Sequence, residues 1–418
     1  MNTAMNTALY EERLQRINDA IALKEPDMVP CAPQCMTFPY LWAGYSMAEV
    51  NYDTEKAKDA IRKYLNHFKP DMGTGYGTVF AGQMPMLDKL GVDWLRWAGQ
   101  EGAVVGERSI FQYIEKEYLG EDEYQEFLSD RAGWVFQRYF PRAFKLFEPF
   151  KNINTRSMYG YTFMPGTMQF ADPAMAEAFE TMGDVARGFI SYYGELARFE
   201  KEIEEMGFVQ QIGAVTTTAF DNLSNFLRGT LGAMADIMTQ PENVLCAVEE
   251  LFPETLYGAL AQARDSNGRF VFIPLHKGMD TFLSDEQYRR FYWDTLLRLV
   301  NGLVENGLTP WIYTEGPYNS RVECLMDVPK GKCWIHFEEA DMKRAKKLLG
   351  DVACLSGGIP SYALAYGTKE QVIEQVKENI DTLAPGGGYI FDISDTLDDC
   401  KPENVEAMFE TVRKYGKY

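Results

Sequence analysis

Short apolar segments alternate with segments of helical periodicity through the C-terminal half of the chain. The apolar runs occupy residues 270–276, 309–316, 334–337, 354–358 and 389–394, and they are rich in Val, Ile, Trp and Tyr. Runs of this length, apolar on both faces, are typical of buried parallel strands. Helices are predicted between them, over residues 284–306, 340–349 and 369–383, with a last one starting near Pro402. This alternation predicts right-handed βαβ units and an α/β fold, a closed TIM-type (β/α)8 parallel barrel.

The N-terminal half shows the same pattern less clearly. Helices are predicted over residues 11–23, 54–68, 177–206, 225–238 and 240–251, and strands over 28–35, 70–80 and 208–220. Aromatic and charged residues alternate without a clean period over about 100–200, which indicates an N-terminal elaboration or a cap over the barrel mouth. The repeated MNTAMNTA is left out of the fold prediction. No other repeat or linker is visible, so residues 1–418 are predicted to form one elaborated barrel domain.

Composition and charge narrow the class of protein. Hydrophobic residues make up 46% of the 418 residues and charged residues 24%, as in ordinary globular proteins. The net charge of −20 argues against nucleic acids and anionic membrane surfaces as partners. No apolar run approaches the roughly 18 residues of a membrane span, and the first residues lack a signal-peptide pattern. Seven scattered cysteines do not suggest a disulfide framework, so a cytoplasmic location is expected.

Three polar side chains on successive predicted strands suggest a metal site. Glu315 ends the strand at 309–316, His336 lies in WIHF, and Cys354 begins the next apolar run. Carboxylate, imidazole and thiolate are all zinc ligands, and neighbouring parallel strands would bring them close together. We therefore predict zinc bound by Glu315, His336 and Cys354.

Each of these residues also has an ordinary structural interpretation. Glu315 would be a solvated strand end or one half of an ion pair, and His336 a buried histidine with a hydrogen bond. Cys354 would pack as a small apolar side chain. His276, at the end of FIPLH, is predicted to be a catalytic proton donor, although a substrate contact, a structural role and the third zinc ligand are open alternatives. Other candidates for that ligand are Asp392 and Asp395.

Long stretches of the chain resemble the uroporphyrinogen decarboxylase superfamily. The resemblance is carried by AFDNLSNFLRGTLGAMADIMTQPENV at 219–244, by the stretch from LHKGMDTF to WIYTEG at 275–316, by LSGGIPSYALAYGTKEQV at 355–372 and by GGGYIFDISDTLDDCKPENVEAM from Gly386. It implies a TIM-type barrel with its site at the C-terminal ends of the strands. True decarboxylases of the superfamily hold a polycarboxylate tetrapyrrole with an arginine-containing motif after the first strand. No arginine occurs here between Arg16 and Arg62, which disfavours that activity.

The other branch of the superfamily consists of zinc-dependent, corrinoid-linked methyltransferases. Coenzyme M methyltransferases carry a His-x-Cys-Gly motif where this chain has Tyr313-Thr-Glu315-Gly316, so the thiol-methylating subgroup is not a clean match. The spacing Glu-x20-His from Glu315 to His336 is similar to the zinc motif of the methyltransferase component of aryl-ether O-demethylases in anaerobic one-carbon metabolism.

That resemblance implies a substrate, an acceptor and a partner. The methyl group of a methoxylated aromatic (a phenyl methyl ether) would pass to the Co(I) corrinoid of a partner protein. The chain has no Asp-x-His-x-x-Gly motif of its own, which agrees with a corrinoid carried by another protein. Alternatives are a thiol- or other substrate-specific corrinoid methyltransferase, a decarboxylase, and a non-catalytic paralogue that only binds a ligand.

Overall fold

A parallel five-stranded sheet lies at the centre of the computed structural model, which describes residues 3–102, 104–155, 158–266 and 268–418. Its strand order is β5-β6-β7-β8-β9, and two shorter sheets pair β1 with β4 in parallel and β2 with β3 in antiparallel. The strands are β1 (Met72–Gly73), β2 (Leu95–Arg96), β3 (Gln112–Tyr113), β4 (Val209–Gln210), β5 (Ala214–Val215), β6 (Phe270–Leu275), β7 (Thr309–Pro317), β8 (Trp334–Glu339) and β9 (Cys354–Gly357).

Helices surround these strands and fill most connections. The α-helices are α1 (Thr3–Ile21), α2 (Phe38–Trp42), α3 (Met47–Val50), α4 (Thr54–Phe68), α5 (Met84–Leu90), α6 (Tyr124–Ser129), α7 (Arg131–Trp134), α8 (Phe140–Ala143), α9 (Phe163–Thr167), α10 (Pro173–Glu205), α11 (Ala219–Asp221), α12 (Thr230–Thr239), α13 (Pro241–Ser266), α14 (Asp285–Gln287), α15 (Asp294–Glu305), α16 (Met342–Leu349), α17 (Ser361–Tyr366), α18 (Lys369–Leu383) and α19 (Pro402–Tyr415). π-Helical turns occupy Val135–Tyr139, Asn222–Arg228 and Tyr288–Trp293, and 3-10 turns occupy Tyr76–Val79, Lys145–Asn152, Gly160–Thr162, Met168–Ala171, Asn319–Arg321 and Cys324–Asp327.

Isolated contacts link the sheets beyond their regular ladders. Leu355 bridges Tyr389, and Cys31 bridges Phe391, both in parallel. The Asp71 amide donates to the Cys31 carbonyl, next to the β1–β4 pair. These contacts follow one another from β9 towards β1, but the described strands do not join into one continuous sheet. The structure therefore confirms a parallel α/β fold, and barrel closure stays a prediction.

Four predicted strands are shorter than the sequence pattern suggests. Residues 70–80 form only the two-residue β1 followed by a 3-10 turn, and residues 389–394 contribute only isolated bridges. Residues 208–220 form β4 and β5 with a break between them, and Thr218 then caps α11. The break coincides with a close backbone approach, since a Cβ at Gly213 would lie 2.5 Å from the Gly268 Cα atom. Residues 28–35 contribute only isolated bridges, because their prolines have no N–H group for a ladder.

The predicted helices agree better with the structure. The capping box at Ser284 is present with both of its reciprocal hydrogen bonds to Gln287, and α4 and α18 have the predicted limits. The first helix is an exception, because it begins at Thr3 and includes most of the repeat excluded from the fold prediction. Residues 100–200 hold short helices followed by the 33-residue α10; their role as a cap stays a prediction.

A cluster of aromatic side chains packs on one face of the central sheet. The indole rings of Trp311 and Trp334 stack with centroids 4.1 Å apart and planes inclined by 5°. Ile17 and Ile21 of α1 belong to the same buried cluster, so this helix covers one end of the strands. Arg16 fixes α1 there through a 2.5 Å hydrogen bond to the buried Asp71 carboxylate. In the described part of the chain, no helix combines the length and apolarity that crossing a membrane requires.

Candidate active site

The carboxyl ends of β6, β7 and β8 bring three ionisable side chains together. His276 follows β6, and its Nε2 atom lies 3.6 Å from Oε1 of Glu315. Both side chains keep contact with solvent, with 29% and 37% of their surface exposed. Glu338 lies on the neighbouring strand and accepts a 2.5 Å hydrogen bond from the Gly316 amide. The structure thus brings together two residues singled out in the sequence and adds a third ionisable group, the Glu338 carboxylate.

An irregularity in β7 explains how Glu315 is aimed. The pairing of β7 with β8 shifts between Thr314 and Pro317, leaving one extra residue on β7. Gly316 lies in this bulge with φ of +72°, a backbone conformation that suits glycine. Bulges of this kind re-aim side chains at the ends of strands. The sequence Glu-Gly at the end of an apolar strand is the local signal for it.

The carboxylates of this region destabilise one another's charged forms. Burial is the main cause of the raised pKa of Glu315, which His276 lowers and the charges of Asp221, Glu338 and Asp395 raise further. Burial also raises the pKa of Glu338 and that of Asp395. A raised pKa keeps a larger fraction of a carboxyl group protonated near neutral pH. The region around His276, Glu315, Glu338 and Asp395, here called the recess, therefore offers proton donors as well as negative charge.

His276 is held by groups on a neighbouring helical segment. The Asn225 side-chain amide lies 2.5 Å from Nδ1 of its ring. The buried Asp221 carboxylate accepts hydrogen bonds from the backbone amides of His276 (3.3 Å) and Lys277 (2.9 Å). The Tyr292 hydroxyl donates to the same carboxylate at 2.5 Å. Asn225 and Tyr292 lie in two of the π-helical turns, which are frequent at functional sites.

His336 is paired with Tyr313, two residues before Glu315 on β7, and so lies one layer further from the carboxyl ends of the strands. It has no exposed surface. Its ring stacks on Tyr313, with centroids 3.9 Å apart and planes inclined by 2°. Nε2 lies 3.2 Å from the Ser394 carbonyl, and Nδ1 lies 3.1 Å from both Ser356 Oγ and Asp392 Oδ2. Every ring nitrogen is thus occupied by protein groups, as the structural interpretation of this histidine requires.

Cys354 lies still deeper. The strand register aligns it with Trp334, and Trp334 with Trp311, four residues before Glu315 on β7. At about 3.3 Å of rise per residue, this places its layer about 13 Å from that of Glu315. Its thiol is fully buried among aromatic rings, and burial raises its pKa. Cys354 therefore packs in the core and is not brought together with the other two predicted ligands.

The donor groups fit a zinc site only in part. Two tetrahedral zinc ligands with bonds of about 2.0–2.1 Å are about 3.4 Å apart, close to the 3.6 Å between His276 and Glu315. Within the described ranges, however, no three His, Cys, Asp or Glu side chains meet as a metal-binding group. The predicted set of Glu315, His336 and Cys354 is spread over three layers of the strands and does not fit one ion.

Basic side chains around the recess are already paired. The Lys277 ammonium lies 3.5 Å from Glu115, and Arg228 forms a 2.6 Å ion pair with the buried Asp236. Arg321 is buried and binds Asp285. No cation of this group is left to bind a substrate carboxylate, and the recess keeps its acidic character.

Sequence reasoning missed several residues of this site. Asp221, Asn225, Tyr292 and Glu338 all lie in segments that were recognised, but no spacing rule assigns them a role. A signal exists for the first two, because Asp221 and Asn225 are four residues apart and such residues share one helix face. Glu338 follows His336 by two residues and so points to the same side of β8.

Comparisons with known proteins agree with this architecture. The sequence profile of the family described as Uroporphyrinogen decarboxylase (URO-D) matches residues 168–415. The fold is similar to the structure of a methyltransferase from Methanosarcina mazei, with a TM-score of 0.61 over 96% of this chain and 98% of that one. The two sequences are 11% identical, so this likeness concerns the fold alone. No curated protein sequence matches the chain.

Proposed function

The chain belongs to the uroporphyrinogen decarboxylase (URO-D) family, and we propose that it is a methyltransferase and not a decarboxylase. It would move the methyl group of a methoxylated aromatic to the Co(I) corrinoid of a partner protein, as the methyltransferase component of an O-demethylase. The fold it shares with a methyltransferase from Methanosarcina mazei supports the reaction class. The aromatic donor and the corrinoid acceptor rest on the resemblance of the Glu315–His336 motif.

The observation that carries the proposal is the His276–Glu315 pair in an acidic recess. A decarboxylase for a polycarboxylate tetrapyrrole needs free cationic groups to hold its substrate. Here the surrounding carboxylates would repel such a substrate, and the nearby basic side chains are engaged in ion pairs. A neutral phenyl methyl ether meets no such repulsion.

The His276–Glu315 pair would also supply the hydrogen bond and the proton that cleavage of an aryl ether requires. As the methyl carbon bonds to cobalt, the C–O bond breaks and its electron pair stays on the phenolic oxygen. A hydrogen bond from the His276 ring would stabilise that developing charge, since it strengthens as the charge forms. The Glu315 carboxyl, with its raised pKa, would deliver the proton that converts phenolate to phenol. His276 thus keeps its predicted catalytic place, and Glu315 shares the work.

A zinc ion held by His276 and Glu315 is the alternative to the donor roles just given, because metal binding would occupy the ring nitrogen and the carboxylate that those roles need. His276 and Glu315 are the two residues whose separation suits one ion, whereas Cys354 and His336 are withdrawn from the ligand set because they are buried in deeper layers. Bound zinc would act as a Lewis acid towards the ether oxygen. Metal analysis of the purified protein and of Glu315→Ala tests this pair of ligands.

The fold likeness to the methyltransferase from Methanosarcina mazei supports a further proposal about the architecture. We infer that the linked sheets close into a (β/α)8 barrel, with residues of about 100–200 forming a cap over its mouth. The partner's corrinoid would reach the substrate across that mouth. The chain would work in the cytoplasm, where a Co(I) corrinoid finds reducing conditions.

The experiment that tests the proposal is methyl transfer to a corrinoid protein held in the Co(I) state, with guaiacol as donor. The change from Co(I) to methyl-Co(III) is followed by absorbance. We expect Glu315→Ala to lose at least about 10²-fold in the rate of methyl transfer. Glu339→Ala removes an exposed carboxylate at the carboxyl end of the neighbouring strand β8 and should keep wild-type activity. Methylation of a thiol by a methyl-Co(III) corrinoid protein, with no transfer from ethers, would support the thiol-specific alternative. Decarboxylation of a tetrapyrrole, or ligand binding without turnover of any methyl donor, would overturn the proposal.

A further inference from the structure

Asn225 occupies a position that decides which ring nitrogen of His276 carries the proton. Its side chain is 5% exposed and approaches Nδ1 at 2.5 Å with its amide nitrogen. With the amide nitrogen on this side, its N–H donates and Nδ1 is the acceptor. In a neutral imidazole the other nitrogen then carries the hydrogen, and this nitrogen is the one facing Glu315 at 3.6 Å.

We propose that Asn225 is a positioning residue that holds His276 in the Nε2-protonated tautomer, so that the ring presents a hydrogen-bond donor to the substrate oxygen. The inference rests on the proposed function for the identity of that oxygen. The tautomer itself is a property of the free protein. The tautomer also distinguishes between His276 as a hydrogen-bond donor and His276 as a zinc ligand, because a zinc ion at Nε2 requires an unprotonated nitrogen there.

The backbone around His276 is fixed by the same helical segment. Asp221 lies four residues before Asn225 and accepts hydrogen bonds from the amides of His276 and Lys277. Asp221 is fully buried and receives the Tyr292 hydroxyl at 2.5 Å. One segment therefore holds the main chain through Asp221 and the ring through Asn225, which leaves the imidazole little freedom to rotate.

Tyr113, from the segment predicted to form a cap, holds Asn225 in turn. The Asn225 backbone carbonyl accepts a hydrogen bond from the Tyr113 hydroxyl at the end of β3. Asn225 is also part of the π-helical turn Asn222–Arg228, whose wider backbone changes the direction of side chains relative to an α-helix. These contacts hold the main chain that carries the Asn225 amide.

The test uses Asn225→Asp, because aspartate is close in shape but its carboxylate can only accept. The neutral His276 ring should then move its proton to Nδ1. The chain has three histidines, so ¹⁵N NMR of imidazole-labelled, metal-free protein can assign each ring with the help of His67→Gln and His276→Gln variants. We expect the Nε2–H pattern for His276 in the wild type and the Nδ1–H pattern in Asn225→Asp.

Kinetics and a matched control complete the experiment. Asn225→Asp should lower kcat for guaiacol by about 10- to 10²-fold with little change in KM, because the lost donor acts in the transition state. Asn222→Asp, in the same turn but bonded to Thr217 and not to His276, should leave both the tautomer and kcat unchanged. A wild-type ring protonated at Nδ1, or an unchanged ring in Asn225→Asp, would overturn the inference. If no methyl donor is turned over but the NMR pattern is as expected, the tautomer assignment stands and the proposed function fails.

Discussion

His336 is either a metal ligand or a structural residue, and the thermal stability of His336→Ala in metal-free protein distinguishes these two roles. The ring has no exposed surface and is stacked on Tyr313. Its nitrogens face Ser394, Ser356 and Asp392 at 3.1–3.2 Å. A residue bound in this way stabilises the fold whether or not a metal is present, so we expect His336→Ala to unfold at a lower temperature in metal-free protein.

The size of the effect follows from the polar contacts and the ring stacking that the imidazole makes. The Ser394 carbonyl and the buried Asp392 carboxylate would each be left without their imidazole neighbour, at about 1–3 kcal/mol apiece. Removal of the ring stack adds about 1 kcal/mol, for a total of about 5 kcal/mol. An unfolding entropy of about 2.1 cal/mol/K per residue gives about 0.9 kcal/mol/K for 418 residues. The expected fall in Tm is therefore about 5–6 °C.

Calorimetry of chelator-treated protein measures this fall. The double variant His336→Ala/Asp392→Asn should recover part of it, because an asparagine oxygen can still accept from the Gln34 and Ile393 amides while the unpaired charge is gone. His67→Ala, at a half-exposed histidine, should shift Tm less. A Tm within about 1 °C of the wild type, together with loss of bound zinc, would refute the structural interpretation and return His336 to the ligand set.

Three further changes test other parts of the molecule. Gly278→Ala should lower both stability and methyl transfer, as measured by Tm and initial rate, since the new Cβ would lie 2.0 Å from the Tyr318 hydroxyl oxygen. Arg16→Met should cost about 3–5 kcal/mol in urea unfolding because it leaves the Asp71 carboxylate buried without its main partner; an equal loss in Arg16→Met/Asp71→Asn would contradict the charge argument. Methyl transfer should fall as pH rises through the raised pKa of Glu315, since the protonated carboxyl is the required form. Glu315→Gln should abolish that limb of the pH–rate profile. It should also stabilise the fold at alkaline pH but not below the ordinary glutamate pKa. A pH–rate profile that is unchanged in this variant would exclude Glu315 as the proton donor.

The sequence was most informative where local rules decide the structure. The capping box at Ser284 and the limits of α18 are set by hydrogen bonds within a few residues, and both were predicted correctly. The strand over 208–220 was predicted too long, because the close approach of Gly213 to Gly268 depends on a neighbour more than fifty residues away. Contacts of that range leave no periodic pattern in the chain.

For the site, strand order was predictable but depth along the strands was not. Glu315, His336 and Cys354 were assigned to successive strands correctly, and parallel strands do place such residues side by side. The register of the strands decides whether these residues lie at the same level. It pairs Cys354 with Trp334, and Glu315 lies two layers away from that pair. A register shift of one residue changes every facing pair, and no single-strand pattern reveals it.

The depth of each residue also explains why the chemistry is gathered at one end of the strands. The deepest layer is closed by stacked indole rings and by α1, and excludes water. His336 and Asp392 form a polar layer above it, with both side chains fully buried and bonded within the protein. Of these three layers in the described ranges, the one with His276, Glu315 and the carboxylates beside them keeps contact with solvent. A substrate can therefore meet proton donors at that end, and the buried polar layer beneath holds the strand ends that present them.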